Sequence, residues 1–262
     1  MPALFARFLA LLLAADALSG GDWNKKYSLT GSANLRVEAT DASVTVRGGD
    51  VDWIEARVTT RGWSIGPTGA VIVESQTGDS VDISVRTPKE FFGIGERSAH
   101  VDLIVPRKLR ATIDTGDGSI VAERFGGDVR LSTGDGGIEA HMMDGALDAQ
   151  SRDGRLAIGG RFDRLNLHTK DGHVELKAAR GSTLGGPWRV DTGDGSVEIS
   201  VDGALACDLD ANTGDGDITV DLPLTMSNKK RGSAFRARIN GGGAPFVIRT
   251  GDGAIHVRKS DS

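Results

Sequence analysis

TGDGSIVAERFGGDVRLSTGDGGIEAHMMDGALDAQSRDGRLAIGGRFDRLNLHTKDGHVELK, residues 115–177, carries a repeat of 18 residues. TGDG opens it at 115 and again at 133, and the degenerate copies SRDG and TKDG follow at 151 and 169. Each unit divides into nines: TGDGSIVAE, RFGGDVRLS, TGDGGIEAH, MMDGALDAQ and onward. The sixth and eighth positions of a nine are mostly apolar, and the fifth, seventh and ninth are mostly polar. In one half-unit the apolar pairs are Ile120 and Ala122, Ile138 and Ala140, Leu156 and Ile158, Val174 and Leu176. In the other they are Val129 and Leu131, Leu147 and Ala149, Leu165 and Leu167. Alternation with period two, broken by turn residues, is the signature of a short strand with one buried face.

One strand and a turn cannot bury that face alone. Two nines make a coil with strands facing each other, and stacked coils bury a continuous apolar column. The pattern predicts an all-β chain, a two-sided β-solenoid or single-stranded β-helix, with coils about 4.8 Å apart. TGDG returns at 192, 213 and 250, followed by Val197 and Ile199, Ile218 and Val220, Ile255 and Val257. One sheet is therefore expected to stack all seven of these half-units. A three-sided hexapeptide helix would need an apolar residue every six positions. A calcium-binding nonapeptide roll needs Asp where this chain has Ile, Leu or Val.

Composition agrees. There are 37 glycines and only 5% aromatic residues, which suits many tight turns and thin packing. The net charge of -5 is spread along the chain and leaves no basic footprint for nucleic acid. Residues 1–20 read as a signal peptide: Arg7, an apolar run over 8–15, and the small-x-small site Ala15-Asp16-Ala17. The mature chain is expected to start near 18–21, in the periplasm or at the cell surface. That apolar run is too short to span a bilayer, and no later segment is apolar enough. Residues 22–105 contain strand-like runs at irregular spacing. They read as an N-terminal β cap or small sandwich, and the solenoid as 106–258 with an insertion at 226–244. A solenoid's end strands are open to pairing, which offers a route to self-association.

The run VPRKLRATIDTGDGSI (105–120), the serial TGDG turns and INGGGAPFVIRTGDGAIHV (239–257) resemble a bacterial β-strand-repeat family of unknown function. Its members are labelled as candidate adhesins and are related to the head domain of autotransporter adhesins. The resemblance covers roughly 30–258 and implies an exported or envelope-associated repeat protein. It supplies no catalytic residue.

Candidate sites are few. The turn aspartates Asp117, Asp135, Asp153, Asp171, Asp194, Asp215 and Asp252 would form a ladder of like charge on stacked coils. Carboxylates one step apart repel by about 0.9 kcal/mol in water and about 3.5 kcal/mol at an effective dielectric near 20. They must be solvated, hydrogen-bonded or neutralised. Turn chemistry explains them first: Asp accepts a local N–H and Gly takes a positive φ. Asp117, Asp135, Asp194 and Asp215 remain weak candidates for cation contact, with Arg152 and Lys170 offsetting the middle of the ladder. Trp63, Phe91 and Phe92 are candidate surface aromatics for a saccharide. Lys229, Lys230 and Arg231 are candidates for an anionic partner. Trp188 and Cys207 alternate inward and read as core. No histidine has metal-ligand spacing, no cofactor is implied, and no carboxylate pair stands out for glycoside cleavage. The expected function is non-enzymatic, an adhesin-like binding or structural role toward an unknown envelope partner. The alternatives are a polysaccharide-active β-helix enzyme and a passive scaffold with no ligand.

Overall fold

The computed structural model describes residues 20–88, 97–222, 224–231 and 233–260, with only the backbone over 224–231. The export segment and the pair Phe91 and Phe92 lie outside the described residues.

The chain is all-β. In order, the strands are β1 (Gly21–Ser28), β2 (Asn34–Ala39), β3 (Ser43–Gly49), β4 (Trp53–Arg61), β5 (Val71–Thr77), β6 (Ser80–Arg86) and β7 (Ser98–Pro106). Then come β8 (Lys108–Thr115), β9 (Ile120–Glu123), β10 (Gly126–Thr133), β11 (Ile138–Ser151), β12 (Leu156–Thr169), β13 (Val174–Ala178) and β14 (Trp188–Thr192). The last are β15 (Val197–Val201), β16 (Cys207–Thr213), β17 (Ile218–Asp221), β18 (Leu224–Arg231), β19 (Ala234–Ile239), β20 (Pro245–Thr250) and β21 (Ile255–Lys259). All belong to one hydrogen-bonded, 21-stranded network with a solenoid-like form.

The 18-residue repeat is written directly into the register. Ile120 pairs with Ile138, Ile138 with Leu156, and Leu156 with Val174, all in parallel. On the facing row Ala111 pairs with Val129, Val129 with Leu147, and Leu147 with Leu165. The 14-residue strands β11 and β12 cross the bend and contribute one half to each row. Between the rows the apolar columns are sealed: Ile113, Ile120, Leu131, Ile138, Leu156, Leu167 and Val174 are fully buried.

All seven expected half-units do stack, but not in chain order. Val197 pairs with Ile255, and Ile255 pairs with Ile218. The final unit, β20 and β21, thus lies between β14–β15 and β16–β17. The opposite end does the same. The first unit, β2 and β3, lies between β6–β7 and β8–β9. Strands upstream of Pro106 therefore continue both rows. Antiparallel strands flank these end units: β1 on β4, β4 on β7 and β5 on β6 at one end, β19 on β16 and β18 on β19 at the other.

The TGDG turn has a different physical basis from the expected one. None of its glycines has a positive φ. The last glycine is required by close stacking: a Cβ on Gly154 would sit 1.9 Å from the Gly136 carbonyl oxygen, and one on Gly172 2.0 Å from that of Gly154. The local acceptor is the Thr or Ser, not the Asp. Ser151 Oγ accepts from Gly154 N at 2.9 Å, and Thr169 Oγ1 from Gly172 N at 3.2 Å. The same hydroxyls donate down the stack, Thr133 to Gly118 O at 2.8 Å and Ser151 to Gly136 O at 2.9 Å. Thr115, Thr133, Ser151, Thr169, Thr192, Thr250 and Thr213 are all buried. A buried hydroxyl ladder thus satisfies turn carbonyls that stacking partly or wholly removes from water.

Candidate functional site

The stack presents two kinds of bend. At the TGDG bend the aspartates Asp117, Asp135, Asp153, Asp171, Asp194, Asp215 and Asp252 all point outward and are exposed. Asp41 joins them, because Ala39 pairs with Thr115 and places TDAS on the same bend. Solvent and nearby cations relieve their mutual repulsion. Arg152 reaches Asp135 on the preceding unit at 3.3 Å, and Lys170 reaches Asp171 at 3.2 Å. Among the described residues, no group of three or more His, Cys, Asp or Glu side chains is placed to hold a metal ion.

The opposite bend carries a groove of about 890 Å³. Its cations are Arg107, Lys108, Arg110, Arg161 and Arg164, against Asp128, Asp144 and Asp163. Arg107 and Lys108 sit where β7 hands over to β8, so the turn itself projects them. Register builds the rest: Asn34, Arg110, Asp128, Ala146 and Arg164 occupy one outward column across successive strands. Gly127 and Gly145, at φ of 116° and 113°, form the floor. A Cβ on Gly127 would meet the Leu109 carbonyl oxygen at 2.2 Å, so close stacking demands glycine there. The missing side chains also leave the groove open.

The groove's cations are not equally engaged. Arg161 is clamped, bonding Asp144 through Nε and Asp163 through Nη1, the latter at 2.6 Å. That bond, with the neighbouring charge, holds the Asp163 carboxyl below the usual carboxylate range. Arg107 bonds Asp50 through Nη2 at 3.1 Å and depresses its carboxyl likewise. Arg164 stands 4.0 Å from Asp128, both well exposed. Lys108 and Arg110 are exposed, and among the described residues no carboxylate lies within salt-bridge distance of either.

The remaining candidates fall elsewhere. Trp63 is partly buried against the core, with its indole N–H buried and unpaired. Lys229, Lys230 and Arg231 lie on β18, and their side chains are outside the described residues. Trp188 is fully buried, edge-on between Phe162 and Phe246 at ring separations of 6.4 and 5.5 Å. Cys207 is buried, and desolvation pushes its thiol up to about 12, which suppresses the reactive thiolate. His100 meets both Thr45 and Asp102 through the same Nε2, each at 3.3 Å. A nucleophile–base–orienter relay uses both ring nitrogens, so these three do not assemble one. His173 Nδ1 meets the Ser196 hydroxyl at the TGDG bend. No helix among the described residues is long and apolar enough to cross a membrane.

The chain belongs to the Toastrack DUF4097 family, whose model matches residues 30–258. Comparison with curated proteins finds no match. Among solved structures, it is similar to a candidate adhesin from Bacteroides fragilis, at 13% identity over 90% of this chain and 96% of that one, TM-score 0.47. It is also similar to a candidate lipid-binding protein from Parabacteroides distasonis, at 12% identity over 93% and 98%, TM-score 0.42. A third likeness is to a candidate cell adhesion protein from Clostridium sporogenes, at 10% identity over 92% and 100%, TM-score 0.37. None of these three likenesses bears on function.

Proposed function

We propose that this chain is an exported envelope or cell-surface protein that binds a partner without chemical turnover. Its architecture in this reading is a two-sided β-solenoid with coils of about 18 residues, closed by antiparallel strands at both ends. The observation that carries it is the outward surface. Parallel register holds side chains in columns one strand apart, backed by a sealed core. Arg130 meets Asp148 at 3.4 Å on one face, and Arg155 and Lys177 meet Glu175 on the other. Such surfaces are rigid and polar, and they bind by positioning charges rather than by enclosing a substrate.

The reading of residues 1–20 as a signal peptide supports export, which would put the binding surface outside the cytoplasm. The test has two readings. N-terminal sequencing of the exported protein should find a start near residue 18–21. Affinity capture from native envelope should retain a specific component on the mature chain. A cytoplasmic product starting at Met1 would remove the export half, and capture of nothing above background would favour a scaffold.

A further inference from the structure

We infer that the groove at the β7–β8 handover binds an acidic oligosaccharide, gripping its carboxylates with Lys108, Arg110 and Arg164. The inference rests on the surface-binding reading and names a ligand class for it.

The first argument is charge. The molecule as a whole carries -5, yet cations outnumber carboxylates in this groove. Arg161 and Arg107 are spent on Asp144, Asp163 and Asp50, which fixes the walls. Among the described residues Lys108 and Arg110 are left without a carboxylate, and Arg164 has only a contact at the limit of pairing. Free cations beside clamped ones form a prepared anion site, because the walls need not reorganise when an anion arrives. Arg110 and Arg164 offer planar forks suited to carboxylate, and Lys108 a mobile point charge.

The second argument is spacing. Arg110 and Arg164 share one column, separated by Asp128 and Ala146. Strands in a row lie about 4.8 Å apart, so the column repeats its side chains at close to the length of one sugar unit in an extended chain. Ala146 is the short member, and with Gly127 and Gly145 it opens the floor between the two arginines. A ligand lying along the stack would meet Arg110, pass over Ala146 and meet Arg164. Asp128 repels an anion set directly upon it, so a chain that can turn a hydroxyl toward that step and its carboxylates toward Arg110 and Arg164 fits better than a polyphosphate. Asn34, next to Arg110 in the column, donates through Nδ2 to Ser80 Oγ at 3.3 Å and adds its amide oxygen for such a hydroxyl.

Calorimetric titration of the mature protein with a short oligogalacturonate at low salt tests this. Binding is expected, weakening as salt rises because the contacts are charged and exposed. Lys108→Ala with Arg110→Ala should weaken it by about tenfold or more. Arg258→Ala, on the outward face of the other row, should leave it unchanged. Since Lys108 and Arg110 are exposed and unpaired, the double variant should keep the melting temperature, which separates lost binding from lost fold. Four results would overturn the inference: no oligogalacturonate binding, equal binding by the double variant, equal binding of neutral dextran, or preference for polyphosphate or anionic phospholipid vesicles. Envelope capture that persists in the double variant would sink the groove while leaving the surface-binding reading intact.

Discussion

The middle of the stack and its two ends obey different rules of connection. From β8 to β13 each unit follows its predecessor by 18 residues and lies directly upon it. At each end the chain passes over its neighbour, makes antiparallel strands and returns. The first and last units are then covered, and the unit next to each in sequence becomes the last parallel rung, which antiparallel strands flank. Fixed spacing thus encodes adjacency only while the connection is too short to do anything else. A longer connection frees the stacking order, and core chemistry alone does not set it, since Val197, Ile255 and Ile218 are all β-branched aliphatics that turn inward.

That contrast has mechanical consequences. The largest concerns charge in the column. Leu156→Asp, fully buried with strands on both sides, should cost more than about 4 kcal/mol and prevent cooperative melting. Ile218→Asp, on β17, which among the described residues pairs only with the Ile255 strand, should cost roughly 1–3 kcal/mol. Outward Arg155→Ser should lie within about 0.5 kcal/mol of wild type. Equal melting temperatures for the Leu156 and Arg155 variants would overturn the inward–outward register.

Turn stacking comes next. Gly154→Ala drives a Cβ into the Gly136 backbone and should cost about 3 kcal/mol. Gly49→Ala, whose Cβ would meet only Val51 at 3.8 Å, should stay within about 0.5 kcal/mol by thermal melting. Thr169→Val keeps the shape but leaves the Gly172 N–H and the Gly154 carbonyl short of a partner, for about 1–2 kcal/mol. The smallest effect is a null. Millimolar calcium should leave the melting temperature unchanged, because the turn aspartates lie singly on separate units. A calcium-dependent rise that Asp117→Asn plus Asp135→Asn abolishes would show that these turns are cation sites.

Much of this was legible in the sequence. The nine-residue alternation identified which of Leu156, Arg155, Ile158 and Ala157 face inward, because a period of two leaves little freedom. The units at 34–49 and 80–106 are harder to read from sequence. The turn of the first reads TDAS, so no TGDG marks it, although Leu35, Val37, Val44 and Val46 alternate correctly. In sequence the turn shows only its composition, and Asp-Gly suggests a positive φ. The actual requirement, a carbonyl 1.9 Å from where a Cβ would be, exists only once two turns are stacked. The groove had a visible trace in the basic run Arg107, Lys108 and Arg110. Its partners Arg164, Ala146 and Asp50 come from other units, and only register brings them together.

The exchange of stacking order at the C-terminal end is tested most directly by disulfide trapping. In a Cys207→Ala background, Glu198→Cys is paired either with His256→Cys or with Thr219→Cys. Glu198 and His256 are register partners on adjacent strands, whereas Thr219 lies one strand further away. Adjacent parallel strands place the Cα atoms about 4.8 Å apart, within disulfide reach, and the second pair would be about 9.6 Å apart, beyond it. Mild oxidation should therefore close the 198–256 pair and leave the 198–219 pair as free thiols. Closure of the 198–219 pair with 198–256 left open would mean that the units stack in chain order, contradicting the exchanged arrangement.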